Sequence, residues 1–366
     1  MARGEKTRLA IVFGGRSGEH EVSLASAMSV MRAVDKQKYD IYPIGIDKAG
    51  RWITQGDPMA ALTAGEKSLA GLLAVPSEDV PRGELVPGAA GGGFPTVDVV
   101  FPVLHGTFGE DGTVQGLLEL ADVAYVGCGV LGSALGMDKI VQKDVLKARG
   151  LPVLDYVAVT RRHWQRDPEA TIRAAEARFA YPMFVKPANM GSSVGISCAH
   201  ASAELTSAID EAARFDRRVL VEPSVDGREI ECSVLGNDDP EASVLGEIVP
   251  CNAFYDYAAK YLDNASELVI PADLDQEMSD EMRRMAVEAY RALDCAGMAR
   301  VDFFLDRTTG AVCINELNTI PGFTEISMYP KLWEASGLPY GQLIDRLVEL
   351  ALERRGDREQ TETSFD

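Results

Sequence analysis

Three side chains with oxygen donors lie close together in the C-terminal part of the chain. Asp302 belongs to Ala299-Arg-Val-Asp-Phe-Phe-Leu305, and Glu316 and Asn318 belong to Val312-Cys-Ile-Asn-Glu-Leu-Asn318. Because side chains alternate along a strand, a β-hairpin formed by these two segments lets the three groups converge. Such oxygens suit magnesium, which shares its ligands with nucleotide phosphates. The pattern predicts a magnesium site, and the alternative is a solvated face of a hairpin.

A lysine followed by a loop of small residues predicts a phosphate site. Lys186 ends a strand-like segment, and Gly191-Ser-Ser-Val-Gly195 follows it. Backbone N–H groups of such a loop can surround phosphate oxygens while the lysine supplies a point charge. A plain connecting loop is the alternative interpretation. A Walker P-loop is excluded because the sequence contains no Gly-Lys dipeptide.

Two further glycine-rich segments follow the first and third strands that we predict. They are Gly14-Gly-Arg-Ser-Gly-Glu-His-Glu-Val-Ser23 and His105-Gly-Thr-Phe-Gly-Glu-Asp-Gly112. Open α/β sheets bind ligands at the carboxyl ends of their strands, and glycines leave the backbone free to approach a small molecule. Both segments are therefore candidates for substrate binding, although Ser17 or Glu21 could instead cap a helix.

One motif favours a different class of enzyme. Gly127-Cys-Gly129-Val-Leu-Gly132 matches the Gly-x-Gly-x-x-Gly pattern of dinucleotide sites, which predicts an NAD-dependent oxidoreductase. The preceding apolar run is short, however, and the motif lies far from the opening βαβ unit. A helix that brings Lys139 to a phosphate explains this region better.

The hydrophobic pattern predicts the elements that position these residues. Short apolar runs separated by helical patterns predict a doubly wound parallel sheet in the N-terminal part, and a Gly/Pro/Ala-rich surface insertion over 47–96. After Pro152 the pattern is that of an α+β region. The predicted strands are 9–13, 41–46, 97–104, 183–186, 219–222, 229–235 and 243–249, and the predicted helices are 23–33, 168–179 and 275–293.

Composition limits the functional classes. At 366 residues the chain should form two or three packed lobes with a cleft between them. Its 36 basic and 56 acidic residues give a formal charge of −20, which opposes binding to nucleic acids or to an anionic membrane surface. The six cysteines are widely spaced and should be reduced core thiols. No stretch is apolar enough for a signal peptide or a membrane span, so we expect a cytoplasmic location.

Taken in order, the motifs resemble those of the D-alanine:D-alanine ligases, members of the ATP-grasp superfamily. The resemblance extends from about residue 8 to about residue 350, and it is more specific than any single motif. Besides the segments quoted above, it rests on Met137-Asp-Lys139, Tyr255-Asp-Tyr-Ala-Ala-Lys-Tyr261, Arg300-Val-Asp302 and Asn315-Glu-Leu-Asn-Thr-Ile-Pro-Gly322.

This resemblance implies an N-terminal doubly wound lobe followed by a two-lobed α+β ATP-grasp module. The implied ranges are an N-terminal lobe over 1–127, a central lobe over 128–224, a C-terminal lobe over 225–355 and a flexible tail over 356–366. The activity implied is ligation of two D-alanines through a D-alanyl phosphate, for peptidoglycan precursors. A homodimer is implied by family analogy alone.

The resemblance also assigns roles to individual residues. ATP would contact Lys139, Lys186, Ser193, Glu222, Glu229 and Lys260. Asp302, Glu316 and Asn318 would hold two magnesium ions, for which manganese can substitute. Glu21, Ser192 and Tyr261 would form a hydrogen-bonded chain beside the substrates, with His105 near the first carboxylate and Ser327 near the second. Arg300 and the Gly322 N–H would stabilise the tetrahedral oxyanion.

Two alternatives remain open at this level besides the oxidoreductase. One is a ligase that forms D-alanyl-D-lactate, although the Tyr261 segment is closer to the dipeptide-forming pattern. The other is a noncatalytic ATP-binding module, which would not need the combination of Arg300, Asp302, Glu316 and Asn318.

Overall fold

The computed structural model describes residues 6–63, 96–249, 267–324 and 326–362. In these ranges the strands form three sheets, and each sheet lies within one of the predicted lobes. None of the helices in the described ranges combines the length and the apolar character that crossing a lipid bilayer requires.

The first sheet is largely parallel, as the apolar runs predict. Its order is β3-β2-β1-β4-β5, with only the edge strand β3 antiparallel. The elements are β1 (Thr7–Gly14), α1 (His20–Ala33), β2 (Tyr39–Ile46), β3 (Trp52–Ile53), α2 (Pro58–Thr63), β4 (Val99–Val103), α3 (Thr113–Leu120) and β5 (Ala124–Tyr125). Because β1 pairs with β2 on one side and β4 on the other, the carboxyl ends of β1 and β4 flank the point where the strand order reverses. Such a switch point is where open α/β sheets bind ligands.

The second sheet is antiparallel, with the order β6-β9-β7-β8. A row of side chains with helical spacing, Leu205, Ile209 and Ala212, is fully buried in its principal helix, α8. The elements of this region are α4 (Val130–Met137), α5 (Lys139–Ala148), β6 (Val157–Thr160), α6 (Arg161–Arg166), α7 (Pro168–Glu176), β7 (Met183–Pro187), β8 (Ser197–Ala199), α8 (Ser202–Phe215) and β9 (Arg218–Pro223).

The third sheet is also antiparallel, with the order β12-β11-β10-β13-β14. Its helix α9 begins after Asp275, whose carboxylate accepts a hydrogen bond from the Met278 N–H, and buries Met282 and Met285 as core side chains. The elements are β10 (Gly227–Gly236), β11 (Glu241–Val249), β12 (Glu267–Val269), α9 (Gln276–Ala292), β13 (Gly297–Asp306) and β14 (Val312–Asn318).

The C-terminal helices complete the core of the first sheet. Helices α10 (Met328–Ala335) and α11 (Tyr340–Arg358) follow the third sheet in sequence. Nevertheless, buried residues of α11 such as Leu343 and Leu347 share one cluster with Leu9 of β1 and Phe101 of β4. The first sheet therefore depends on chain far beyond residue 127 for its hydrophobic core.

Two boundaries differ from the sequence prediction. The prediction of a tail from residue 356 is wrong for residues 356–358, because α11 continues to Arg358, which pairs with Glu119. The predicted insertion over 47–96 is not a loop at its start, because β3 extends the first sheet and α2 packs against β2. Residues 64–95 lie outside the described ranges.

The cysteines within the described ranges are free, as expected of reduced thiols. Cys128, Cys232 and Cys295 are buried, while Cys198 and Cys313 are half-buried. The prediction of core thiols is confirmed for the first three.

Candidate active site

The predicted hairpin is present and brings its polar residues into register. Strands β13 and β14 are antiparallel, with Arg300 opposite Asn318 and Asp302 opposite Glu316. The turn is closed by the Asp306 carboxylate, which accepts hydrogen bonds from two backbone N–H groups. Alternation along the two strands thus places the four side chains at one end of the hairpin.

The Asp302 carboxylate is the centre of this cluster. The Arg300 Nε and Nη2 atoms donate to its two oxygens at 2.7 Å each, and the Asn318 Nδ2 atom donates to Oδ2 at 3.0 Å. The third predicted metal ligand, Glu316, pairs with the Nζ of Lys139 at 3.2 Å. The carboxylates of Asp302 and Glu316 are therefore balanced by protein cations in this structure.

Glu231 was not identified from the sequence, yet it contacts Arg300. It lies directly opposite Asp302 on β10, is only 6% exposed, and places Oε2 3.0 Å from the Arg300 Nε. Burial lowers the pKa of Arg300, but the carboxylates of Asp302 and Glu231 outweigh burial and raise this pKa well above its ordinary value. The guanidinium is thus a permanent cation held between two acids.

The predicted phosphate loop follows β7 and contacts α5. Ser192 and Ser193 adopt left-handed φ angles of 48° and 59°, a conformation that costs about 1 kcal/mol or more per residue and is concentrated at functional sites. The Nζ of Lys139 donates to the Met190 carbonyl at 2.9 Å. Lys139 therefore connects the loop to Glu316 on the third sheet.

Lys186 and Glu222 are buried together with a second lysine, Lys143. The Glu222 oxygens lie 2.8 Å from the Nζ of Lys143 and 2.8 Å from the Nζ of Lys186, and Lys186 also contacts the Asn315 side chain at 3.3 Å. Burial acts to raise the pKa of Glu222, but the two lysines outweigh it and lower this pKa to about 2. Lys143 was missed because its sequence context, a helix interior, carries no ligand signal.

Lys186 itself stays charged in this cluster. Burial acts to lower its pKa, but nearby carboxylates, Glu222 foremost and then Glu316 and Glu229, raise it. Glu229 is half-buried on β10, facing the same region. The residues of the second and third sheets that we predict to bind ATP thus lie close enough for their charges to interact.

Glu19, rather than Glu21, reaches the predicted substrate region. The Ser192 hydroxyl donates to the Glu19 carboxylate, and Cβ atoms built at Gly106 and Gly191 would lie 2.6 Å and 2.5 Å from that carboxylate. The Glu21 side chain is 62% exposed and pairs with Lys48 at 2.5 Å. The predicted hydrogen bond between Glu21 and Ser192 is therefore wrong, because α1 begins at His20 and turns Glu21 away from the loop.

His105 is buried and fully hydrogen bonded. Its Nδ1 lies 3.0 Å from the Ile320 carbonyl oxygen, and its Nε2 lies 3.2 Å from the Ser26 hydroxyl. Since a carbonyl only accepts, Nδ1 carries the proton and Nε2 accepts from Ser26. Burial lowers the pKa of His105, so the ring is neutral at neutral pH.

Glu110, from the same loop, also reaches this region and was not singled out from the sequence. Its oxygens accept from the Gly106 N–H at 2.6 Å and from the Ile320 N–H at 3.2 Å. Burial and the nearby charge of Glu19 raise the pKa of Glu110 to about 8. Two acids, Glu19 and Glu110, thus face the same cavity.

Gly322 and Ser327 lie together beyond the end of β14. The Ser327 hydroxyl accepts from the Thr324 N–H at 3.0 Å, and a Cβ atom at position 322 would lie 2.8 Å from the Ser327 Oγ. A residue larger than glycine would therefore displace this turn.

Many of these groups line one cleft, whose walls come from the regions of all three sheets. Several predicted residues line it, and Glu19 and Glu110 are additions. The predicted residues outside this lining are Glu21, Lys186, Glu222, Glu229, Asp302 and Ser327. The predicted residues in the lining are His105, Lys139, Ser192, Ser193, Arg300, Glu316, Asn318 and Gly322. Lys260 and Tyr261 lie outside the described residues.

The Gly127 to Gly132 motif serves packing instead of dinucleotide binding. A Cβ atom at Gly132 would lie 2.5 Å from the Asp294 carbonyl oxygen, and one at Gly297 would lie 3.0 Å from the Gly127 nitrogen. The glycines therefore let α4 approach the turn after α9 and let the start of β13 approach Gly127, which removes the basis for the oxidoreductase alternative.

Family models match most of the chain. The model described as D-ala D-ala ligase N-terminus matches residues 8–128, and the model described as D-ala D-ala ligase C-terminus matches residues 145–349.

Curated relatives and solved structures agree with these models. The D-alanine–D-alanine ligase of Acetivibrio thermocellus is 49% identical over 97% of this chain and 98% of its own length. The one from Thermoanaerobacter sp. is 52% identical over 97% and 99%. The D-alanine-D-alanine ligase structure from Coxiella burnetii superimposes with a TM-score of 0.81 at 38% identity, covering 98% of this chain and 97% of its own. The VanG D-Ala:D-Ser ligase from Enterococcus faecalis gives 0.79 at 37% identity, covering 95% and 100%.

Proposed function

Because the chain belongs to the D-alanine–D-alanine ligase family, we propose that it joins two D-alanine molecules to D-alanyl-D-alanine while converting ATP to ADP and phosphate. The product is a precursor for peptidoglycan synthesis. The enzyme is an ATP-dependent ligase with small-molecule substrates, and its reaction requires groups for a nucleotide, an acid and an amine in one cleft.

One observation supports this function above all: the cleft holds cations, carboxylates and backbone donors contributed by all three sheets. Lys139 and Ser193 belong to the central region, Arg300 and Gly322 to the C-terminal region, and His105 to the N-terminal loop. A site made at the meeting of three lobes can bring separate substrates together in a fixed orientation, which can contribute several orders of magnitude in rate.

The nucleotide would lie between the second and third sheets. Lys139 and Lys186 supply positive charge for its phosphates, and Ser193 lies in the loop that would surround them. Glu222 lies 2.8 Å from Lys186, and we propose that Glu222 and Glu229 contact the base or the ribose. Lys260 stays a prediction because it lies outside the described residues.

The donor set fits magnesium. Asp302 and Glu316 supply carboxylate oxygens and Asn318 an amide oxygen, a combination that magnesium completes with water and phosphate oxygens. In the described ranges there is no group of three or more His, Cys, Asp or Glu with metal-binding geometry, so the proposed site rests on two carboxylates and one amide. Two magnesium ions, or manganese in their place, would neutralise phosphate charge during transfer.

The first chemical step is attack of a D-alanine carboxylate on the γ-phosphate of ATP. The resulting acyl phosphate has a good leaving group, and Lys139 offsets the negative charge that moves during transfer. Glu19 accepts a hydrogen bond from Ser192, and we propose that it binds the ammonium group of this D-alanine. We assign to Glu19 the role that the sequence suggested for Glu21.

The second step is attack of the second D-alanine's amine on the acyl phosphate. An α-amino group titrates at about 7.7 to 8.0, so a strong base is not required. We propose that Arg300 and the Gly322 N–H, which line the cleft, stabilise the tetrahedral oxyanion. Ser327 would lie near the second carboxylate, and Ser192 near the second amine, whereas Tyr261 stays a prediction outside the described residues.

The D-alanyl-D-lactate alternative is not favoured, because the two curated relatives that match this chain at 49% and 52% identity over 97% of its length are D-alanine–D-alanine ligases. We further propose that the enzyme is cytoplasmic and homodimeric. Light scattering of the purified protein would test the dimer, and a monomer mass at micromolar concentration would contradict it.

The test of function is ADP release with ATP and magnesium, with products identified by mass. We expect release with D-alanine and a D-alanyl-D-alanine product, and none with L-alanine. Addition of D-lactate or D-serine to D-alanine tests the second site. Absence of stimulation by D-alanine would contradict the proposed substrate.

A further inference from the structure

The backbone of Ile320 is held from both sides by one loop of the N-terminal region. Its N–H donates to the Glu110 Oε1 at 3.2 Å, and its carbonyl accepts from the His105 Nδ1 at 3.0 Å. Glu110 and His105 are only five residues apart, whereas Ile320 is more than 200 residues distant in sequence. A long-range contact of this kind fixes one loop relative to another.

Glu110 and His105 each make a second hydrogen bond, to a group other than Ile320. The second oxygen of Glu110 accepts from the Gly106 N–H at 2.6 Å. The Nε2 of His105 lies 3.2 Å from the hydroxyl of Ser26, a residue with no solvent exposure. The two side chains therefore have little freedom to follow Ile320 if it moves.

Ile320 lies beyond the end of β14, so hydrogen bonds between strands do not fix its position. Strand β14 ends at Asn318, whose side chain is fixed by its own hydrogen bond to Asp302. Gly322 lies four residues beyond that strand end and lines the cleft. The backbone between these two positions needs support from elsewhere, since a displacement of about 1 Å can cost about 100-fold in rate.

We propose that Glu110 and His105 are positioning residues that clamp Ile320 and thereby hold the Gly322 N–H at the oxyanion of the second chemical step. The proposal rests on the proposed ligase function. Burying a carboxylate beside Glu19 is unfavourable, and a neutral side chain at position 110 would avoid this cost. A glutamate side chain presents two oxygens to the two N–H donors, whereas a glutamine amide presents one oxygen and an NH₂ group that cannot accept a hydrogen bond.

Separate measurements of the two chemical steps distinguish this positioning role from general support of the fold. Positional isotope exchange in ATP labelled with ¹⁸O reports reversible formation of the acyl phosphate from the first D-alanine. Dipeptide formation reports both steps. A residue that supports only the oxyanion site should affect the second measurement far more than the first.

The variants Glu110→Gln and Asp111→Asn form a matched pair in one loop. Among the described residues, the Asp111 carboxylate accepts from the N–H groups of Phe108 and Thr113 in its own loop, at 2.8 Å and 3.0 Å. We expect Glu110→Gln to lower kcat for dipeptide about 10- to 100-fold while isotope exchange and the KM for ATP stay within about 3-fold. Asp111→Asn should leave both reactions within about 2-fold of the wild type.

Equal loss of both reactions in Glu110→Gln, or no loss in either, would overturn the clamp. If Glu110→Gln fails to fold, the pair His105→Asn and His105→Ala decides, because the asparagine amide can occupy the place of Nδ1. We expect more dipeptide formation with asparagine than with alanine, and equal rates would overturn the clamp. Absence of exchange and ligation in the wild type would instead contradict the proposed function.

Discussion

The guanidinium of Arg300 donates two hydrogen bonds of 2.7 Å to Asp302, the residue proposed to bind magnesium. Arg300 thus occupies both oxygens of a proposed metal ligand. A cation that binds there must share Asp302 with Arg300, which would weaken the bidentate contact. Glu231, 3.0 Å from the Arg300 Nε, remains as a second partner.

Replacement of Asp302 by Asn should impair the use of magnesium. The variant retains the shape of the side chain but loses the negative charge that a hard cation requires. We expect kcat/KM to fall at least about 100-fold and the magnesium concentration for half-maximal activity to rise. ADP release measured over a magnesium series tests this, and an unchanged magnesium dependence would contradict the assignment.

Replacement of Glu231 by Gln should leave the Arg300 guanidinium less well oriented without changing magnesium binding. Loss of one charged partner should lower kcat about 10-fold, because the guanidinium is less well oriented. The magnesium dependence should match the wild type. A shift as large as that of Asp302→Asn would instead make Glu231 a metal ligand.

Glu19 and Glu21 provide a direct test of the corrected assignment. Glu19→Gln should lower kcat/KM for D-alanine about 10- to 100-fold, since it removes a charged hydrogen-bond acceptor in the cleft. Glu21→Gln alters only an exposed pair with Lys48 and should stay within about 2-fold. The reverse result would restore Glu21 to the substrate site.

The Glu222 cluster should make stability depend on pH in the acid range. The pKa of Glu222 falls from 4.5 to about 2 on folding. The carboxylate therefore contributes about 3 kcal/mol of unfolding free energy above pH 4.5, and this contribution is lost as the pH falls towards 2.

Glu222→Gln leaves Lys143 and Lys186 buried without their anionic partner. We expect it to lower the unfolding free energy at pH 7 by about 3 to 5 kcal/mol and to flatten the pH dependence between pH 2 and 4.5. Urea unfolding at several pH values measures both effects. Glu241→Gln, on an exposed position of β11, is the control and should change stability by less than about 0.5 kcal/mol. If Glu222→Gln were as stable as this control at pH 7, the proposed contribution of the charged cluster to stability would be contradicted.

Arg354 should stabilise the attachment of α11 to the first sheet. Its guanidinium lies 4.2 Å from the centre of the Tyr125 ring and donates to the carbonyls of Tyr125 and Gly127. Arg354→Ala should therefore lower the unfolding free energy by about 2 kcal/mol. Arg166→Ala, at an exposed position of α6, should change it by less than about 0.5 kcal/mol. Equal thermal unfolding curves for the two variants would show that α11 does not depend on Arg354.

The sequence by itself predicted the elements whose signal is local. The alternation in 299–305 and 312–318 predicts the hairpin and the shared face of its polar residues, whereas a register shift between Asp302 and Phe303 is seen only in the structure. The apolar runs predict β1, β2 and β4, and the methionine spacing predicts the buried face of α9. These patterns depend on the period of a strand or a helix, so they can be recognised without knowledge of the rest of the chain.

Only the tertiary structure distinguished Glu19 from Glu21. The two acids have the same chemistry, and residues two positions apart at the start of a helix point in different directions. Which of them reaches Ser192 depends on how α1 sits against the first sheet. No local pattern encodes that orientation.

The same reason explains Lys143, Glu231 and Glu110, which the sequence analysis did not single out. Each acquires its role from a partner far along the chain: Glu222, Arg300 and Ile320. The extension of the first core to α11 is likewise a contact between the two ends of the chain. Local spacing determined what each segment is, whereas packing between distant segments determined which charged groups meet, because burial and pairing exist only once the chain is folded.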